Sequence, residues 1–88
     1  PLTLAVRGGF DEAVEALVEK GADVNGRNRD DGSTALMWAA NNGHRSIVEY
    51  LVENGADVAI EAKDGWTAGE AARMAGHEEI ANRLDRPI

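Results

Sequence analysis

The sequence predicts an all-α fold built from repeated antiparallel helix pairs, and three short motifs support this prediction. "GADV" occurs at residues 21–24 and again at 55–58, 34 positions further on. "DGST" at 31–34 returns as "DGWT" at 64–67, and "GH" at 43–44 returns at 76–77, both after 33 positions. A near-constant period of this length is the signature of a repeat architecture. The difference of one position indicates an extra loop residue between Val24 and Gly32.

The first helix of each unit is predicted to begin after a threonine. Thr34 and Thr67 are good N-caps, because a hydroxyl accepts a hydrogen bond from an amide of the first helical turn. Gly43 and Gly76 are expected to end these helices, since glycine adopts positive φ readily. The pair at 8–9 is their counterpart in the first unit.

The second helix of each unit carries negative charge at its start and an apolar stripe along one side. Acidic pairs stand at 11–12 and 78–79, where they suit the positive end of the helix dipole. An i, i+3, i+4 spacing of apolar residues predicts a buried face. The stripe consists of Val14, Leu17 and Val18, of Ile47, Val48, Leu51 and Val52, and of Ile80. Gly21 and Gly55 stop the helices, and the polar segments after them suit turns or short hairpins in solvent.

These residues resemble the ankyrin repeat family. "DGSTALMWAANNGHRSIVEYLVENGADV" keeps the family's glycines, threonine, alanine pair and Ile-Val stripe, with Ala35 in place of proline and Met37 in place of histidine. "PLTLAVRGG" to "GADVN" resembles the same unit entered part-way, and "DGWTAGEAARMAGHEEIANRL" resembles a terminal unit. The resemblance implies an α-solenoid of antiparallel helix pairs joined by hairpin-like turns. We expect one domain over 1–88, with units at about 1–30, 31–63 and 64–88.

The two ends of this array are predicted to differ. Gly69 and Glu70 replace the family's usual leucine and histidine, and Asn82 and Arg83 interrupt the apolar stripe, which is typical of a terminal repeat with a polar outer side. The first unit lacks its own hairpin and threonine. Its apolar positions without obvious polar cover are Leu2, Leu4, Val14 and Leu17. We therefore expect a fragment of a longer array, or self-association through the uncapped N-terminal end.

The two tryptophans have different predicted roles. Trp38 stands where the family has an apolar side chain on the first helix, so packing in the core or between repeats is favoured over a ligand platform. Trp66 follows a glycine at a turn and precedes a helix cap, a position that faces the partner-binding groove in ankyrin repeats. An interface role there competes with simple packing against the adjacent hairpin.

Composition excludes several classes of partner and cofactor. Nine Lys and Arg against sixteen Asp and Glu give a net charge of −7, which argues against nucleic acid and anionic membranes and favours a basic or neutral partner. Cysteine is absent, so disulfides and thiolate metal sites are excluded. The apolar runs are far below the ~20 residues that span a bilayer. We expect a soluble protein, with the cytoplasm as the default compartment.

Catalysis and metal binding are not expected. His44 and His77, the only histidines, lie one repeat apart and cannot share a metal ion. The acidic residues are scattered over helix surfaces and turns, and no nucleophile elbow, phosphate loop or zinc spacing is present. The sequence therefore predicts no catalytic residue, no cofactor and no metal site.

Binding of a protein partner is the function that the resemblance implies. In ankyrin repeats the turn tips and the first-helix face form a concave surface. Carried over to this sequence, that surface comprises Arg7, Arg29, Asp30, Asp31, Ser33, Asn41, Asn42, Glu61, Lys63, Asp64, Trp66 and Met74. The alternative is an ankyrin segment of a larger enzyme or channel that serves as a spacer or oligomerisation element.

Overall fold

The computed structural model describes residues 6, 8–9, 11–27, 29 and 31–85. Within this part of the chain there are five α-helices and no β-strand. They are α1 (Asp11–Glu19), α2 (Ala35–Asn42), α3 (Arg45–Glu53), α4 (Ala68–Met74) and α5 (Glu78–Asp85). The predicted all-α architecture of helix pairs is confirmed. None of the helices in these ranges is both long and apolar enough to cross a membrane.

The helix boundaries follow the predicted local signals. The hydroxyl of Thr34 accepts a hydrogen bond from the amide of Met37 at 3.3 Å, and the hydroxyl of Thr67 accepts one from the amide of Glu70 at 3.3 Å. Each bond satisfies an amide that has no partner within the first turn of its helix. Gly43 ends α2 with φ of 76°, and its amide donates to the carbonyls of the last turn. The predicted N-caps of α2 and α4 and the glycine stop of α2 are therefore confirmed, whereas the C-cap of α4 is Ala75, which directly precedes Gly76 with its φ of 88°.

The apolar stripe of the second helices forms the core together with the first helices. Val14, Ile47, Val48, Leu51 and Ile80 are buried, as predicted. The other predicted stripe residues, Leu17, Val18 and Val52, are half-buried and pack against the same cluster. Leu36 is fully buried between the helices, as are Ala39, Ala40 and Ala72. The small side chains of the three alanines allow α2 and α4 to approach each other closely.

The second helices are also joined along their outer surface by polar contacts. The hydroxyl of Ser46 on α3 donates to Asp11 on α1 at 2.7 Å. Further along the array, Arg45 pairs with Glu79 at 2.9 Å. These contacts join residues about one repeat apart in sequence, so the period of the chain is expressed directly in the packing of successive helices.

Arg83 also makes a contact between second helices. Its sequence position predicts a polar residue on the outer side of the terminal repeat instead. Its Nε donates to Oε1 of Glu49 on α3 at 2.8 Å, and both side chains are about one-third exposed. Asn82 is exposed, as expected for an outward position. The reason for the difference is that residues one apart on a helix point about 100° away from each other. Adjacent polar residues therefore need not share a face.

The expected open N-terminal surface is only partly described. Leu2 and Leu4 lie outside the described residues. Val14 is 1% exposed, so it is covered within the chain, and Leu17 is half-buried. Val14 and Leu17 are the two described residues on which that expectation rested, and neither presents a fully exposed apolar side chain.

Candidate functional site

An open groove lies between α2, α4 and the two turns that precede these helices. Its volume is about 250 Å³. The lining residues are Asp31, Ser33, Met37, Trp38, Asn41, Ala62, Asp64, Trp66, Thr67, Ala71 and Met74. Pockets that hold drug-sized ligands are typically ~300–1,000 Å³ and enclose most of the ligand. A groove of this size and openness suits one or two side chains of a partner.

The structure brings half of the predicted partner-binding residues together in this groove. Those that line it are Asp31, Ser33, Asn41, Asp64, Trp66 and Met74. Arg29, Asn42, Glu61 and Lys63 are exposed but do not line the groove. Arg7 and Asp30 lie outside the described residues.

Sequence reasoning missed the other five lining residues, which are Met37, Trp38, Ala62, Thr67 and Ala71. A signal for some of them was present. Met37 and Trp38 precede Asn41 by four and three positions, and such spacings place side chains on one side of a helix. Ala71 stands in the same relation to Met74. Extending the predicted surface along each first helix would have found these residues.

Trp38 packs against the core and also lines the groove. Its side chain is half-buried against the hydrophobic cluster, so the predicted packing role is confirmed. The indole Nε1 donates to the hydroxyl of Ser33 at 3.0 Å, which ties the ring to the preceding turn. Because both packing and a hydrogen bond hold it, Trp38 presents a fixed apolar surface to the groove.

Trp66 is held by its backbone and is partly exposed to solvent. Its amide donates to Oδ1 of Asp64 at 3.2 Å, and its carbonyl accepts from the amide of Ala62 at 2.9 Å. The side chain is 37% exposed. Nearby Met74, at the end of α4, is 71% exposed. Two large apolar side chains that line the groove are therefore accessible.

Asp31 supplies a fixed negative charge to the groove. Its Oδ1 accepts a hydrogen bond from the amide of Ser33 at 2.9 Å. The hydroxyl of Ser33 is the largest cause that lowers the pKa of Asp31, and the Ser33 amide is the second. Both bonds favour the charged form. The carboxylate is exposed, and it stays ionised at neutral pH.

Two cationic side chains near the turns, those of Lys63 and Arg27, are bonded to backbone oxygens. Nζ of Lys63 donates to the carbonyl of Arg29 at 2.7 Å. Arg27 donates to the carbonyl of Gly32 through Nε at 3.1 Å and to that of Glu61 through its other end. These bonds join successive turn tips. Lys63 and Arg27 therefore fix the shape of the tips.

The histidines lie outside the groove and contact glycines of the preceding unit. The ring of His44 lies against Gly9, and the ring of His77 lies against Gly43. Among the residues that the structure describes, no group of three or more His, Asp or Glu side chains could hold a metal ion. The two histidines thus take part in packing between repeats.

A second cleft, of about 290 Å³, lies between α1 and α3 on the other side of the molecule. Its charged lining residues are Asp11, Glu15, Glu49 and Glu53. Asp11 and Glu49 already bond to Ser46 and Arg83, respectively. This cleft has one aromatic lining residue, the half-buried Tyr50, and no methionine, so the groove is the stronger candidate for recognition.

Comparisons with known proteins agree with this architecture. The sequence matches the family described as "Ankyrin repeats (3 copies)" over residues 2–85. It is 48% identical over 68 residues to "Ankyrin repeat and SAM domain-containing protein 6" of Mus musculus, and equally to the protein of that name from Rattus norvegicus. Each match covers 77% of this chain and 8% of the relative, so the chain corresponds to a small part of those proteins.

Proposed function

This chain belongs to the ankyrin repeat family, whose members are generally protein-interaction modules, and we propose that it binds a protein partner without catalysis, through the groove and the turn tips. The observation that carries the proposal is the groove itself. It combines exposed Trp66 and Met74 with half-buried Trp38 and with polar groups at its edge. Aromatic and methionine side chains surrounded by polar residues are typical of protein interfaces.

The groove is also prepared for binding before a partner arrives. Trp38 is held by packing and by Ser33, and the backbone of Trp66 is held by Asp64 and Ala62. A surface that is already ordered loses little conformational entropy on association, so more of the contact energy appears as affinity. The hydrogen bonds of Lys63 and Arg27 keep the two neighbouring tips in one arrangement.

The proposal is tested by quantitative affinity capture with the 88-residue chain as bait. Proteins retained by the wild-type chain are compared with those retained by Trp66→Ala. Truncating a central aromatic side chain at an interface typically costs ~2 kcal/mol or more. We expect a defined set of proteins to be lost with this variant, and direct titration of a recovered protein should show the same loss of affinity.

The matched control is Glu53→Ala, which alters an exposed residue of the second cleft. It should retain the proteins that Trp66→Ala loses. Far-UV circular dichroism and thermal unfolding of both variants establish that the fold is intact. If no bound protein distinguishes Trp66→Ala from Glu53→Ala, the groove is not the recognition surface. Assembly of the chain with itself, unaffected by Trp66→Ala, would instead support an oligomerisation element.

A further inference from the structure

The ionisable side chains that line the groove all carry negative charge. They belong to Asp31 and Asp64, and no Lys or Arg lies among the described residues that line the groove. Both carboxylates are exposed. Lys63, next to Asp64 in sequence, donates to the carbonyl of Arg29, and its charge also contributes to the lowered pKa of Asp31. Two negative charges therefore face a partner next to an apolar surface, in a chain whose net charge is −7.

The same turn geometry fixes both carboxylates. Oδ1 of Asp31 accepts from the amide of Ser33, and Oδ1 of Asp64 accepts from the amide of Trp66, in each case two residues further on. These bonds restrict rotation of the side chains, so their positions relative to the ring of Trp38 and the backbone of Trp66 are set before binding. The lowered pKa of Asp31 keeps its charge in place over the whole neutral range.

Two indole rings accompany the charges. Trp38 and Trp66 both line the groove, and the faces of indole rings attract cations. A guanidinium group is planar, stacks on aromatic rings, pairs with carboxylates through a fork of N–H donors, and is more weakly hydrated than an ammonium group. Among the side chains of proteins, arginine therefore matches this combination of indoles and carboxylates best.

Resting on the proposed function, we infer that the groove binds an arginine side chain in a basic segment of the partner protein. The guanidinium group lies against the indole surface of Trp38 and Trp66 and within reach of the carboxylates of Asp31 and Asp64. The apolar stem of the arginine contacts Met74, which long cationic side chains can do while their charged ends stay polar. The net charge of the chain attracts such a segment from a distance.

A random peptide library displayed on phage is the probe for this inference. It is selected on the 88-residue chain, with counter-selection on Trp66→Ala. We expect the recovered peptides to contain arginine beside apolar residues. The tightest peptide is then synthesised together with versions in which arginine is replaced by lysine or by glutamine. Replacement by glutamine should weaken binding about tenfold or more, and replacement by lysine about threefold or more.

The carboxylates are tested with Asp31→Asn and Asp64→Asn, alone and together. Asparagine keeps an oxygen that can accept from the Ser33 or Trp66 amide, so each substitution removes charge and preserves the turn. The double variant should weaken the arginine peptide by about three- to thirtyfold, in proportion to two exposed charge pairs. Asp57→Asn is the matched control, because Asp57 makes the same turn contact, to the amide of Ala59, outside the groove. It should bind the peptide as the wild-type chain does.

The outcomes separate this inference from the proposed function. Peptides that need Trp66 but contain no arginine, or that bind the double variant as tightly as Asp57→Asn, would overturn the inference and leave the interaction module standing. Equal affinity for the lysine peptide would also overturn it, since an ammonium group cannot stack and fork as a guanidinium does. Failure of every peptide and protein to respond to Trp66→Ala would overturn both.

Discussion

The ring of His77 lies directly against Gly43, at the point where α2 ends. A Cβ atom placed at Gly43 would be 2.7 Å from Cε1 of His77. The preceding unit repeats the contact, because a Cβ at Gly9 would be 2.9 Å from Cε1 of His44. Each histidine therefore occupies space that the glycine of the previous unit leaves open. The repeated Gly-His motif is a contact between repeats, in addition to a helix stop.

Replacing Gly43 by alanine should destabilise the chain by more than backbone strain alone. The left-handed conformation, with φ of 76°, costs a non-glycine residue ~1–2 kcal/mol. The new methyl group must also displace His77, which adds about 1–3 kcal/mol, as overpacking does. Denaturant unfolding followed by circular dichroism measures the sum.

Gly76→Ala provides the matched control for this prediction. Gly76 has a similar φ of 88°, but apart from its own chain neighbours no heavy atom lies within 4 Å of the place where its Cβ would stand. It should therefore lose only the strain contribution. Gly43→Ala should cost less in a His77→Ala background than in the wild-type chain, because the clash is absent there. Equal losses in Gly43→Ala and Gly76→Ala would show that the histidine yields freely and that the contact has no energetic weight.

Asn25 joins two successive turns, and its removal should weaken that junction. Its Nδ2 donates to the carbonyl of Gly55 at 3.1 Å, while its Oδ1 accepts from the amide of Asp57 at 2.7 Å. Asn25→Ala removes both bonds and leaves two backbone groups to find water. Since the site is partly exposed, we expect a loss of about 1–2 kcal/mol in the free energy of unfolding.

The control for Asn25 is Asn54→Ala. Asn54 also donates to a backbone carbonyl, that of Tyr50 at 2.8 Å, but this bond lies within one helix end. Its loss should be smaller, about 0.5 kcal/mol. Hydrogen exchange gives a second readout, because only Asn25→Ala should accelerate exchange of the Asp57 amide. Equal stability losses and unchanged exchange at Asp57 would contradict a bridging role.

The helix caps and the buried stripe are the parts of the structure that the sequence could predict. The caps at Thr34 and Thr67 and the glycine stop at Gly43 depend on groups within a few residues of each other, so short motifs specify them. The buried stripe follows from helical spacing in the same way. The fold class was predictable because every unit repeats these local signals.

The candidate site was predictable only in part, because it depends on how units stack. Nothing near Lys63 in sequence indicates that its amine reaches the carbonyl of Arg29, 34 positions earlier. Trp38 could be assigned to packing from its position on a helix, but its place in the groove depends on the turn that carries Trp66. Both contacts depend on the distance between successive units. The packing of the core sets this distance, and no single sequence motif specifies it.

Two ion pairs between helices in the described part of the chain should differ in strength. Arg83 and Glu49 are about one-third exposed, whereas Arg45 and Glu79 are 66% and 82% exposed. Water and salt screen exposed charges more effectively. A double-mutant cycle with Glu49→Gln and Arg83→Gln should give a coupling energy of about 0.5–1 kcal/mol, and the cycle on Arg45 and Glu79 about 0.3 kcal/mol or less.

The salt dependence of the two coupling energies tests this ranking. Raising the ionic strength should reduce both coupling energies, and the exposed pair should reach zero first. A larger coupling for Arg45 and Glu79 than for Glu49 and Arg83 would mean that exposure does not rank these contacts. Both cycles use neutral glutamine, which matches glutamate in volume and keeps the helix propensity nearly constant at all four positions.

Tyr50, the single tyrosine of the chain, offers a spectroscopic test of packing between α1 and α3. Partial burial is the largest cause that raises its pKa, and the charges of Glu19 and Glu15 contribute in the same direction. The folded chain thus holds the phenolic proton more tightly than the unfolded chain does. The associated stability is fully present below the unfolded pKa and is lost as the pH rises through the folded pKa.

Tyrosinate absorbance should therefore titrate at higher pH in the folded chain than in urea. Glu19→Gln should lower that midpoint, whereas Glu70→Gln, on the distant helix α4, should not. A midpoint that is the same in both solvents, while circular dichroism shows a folded chain, would mean that the ring is as solvated as in an unfolded chain.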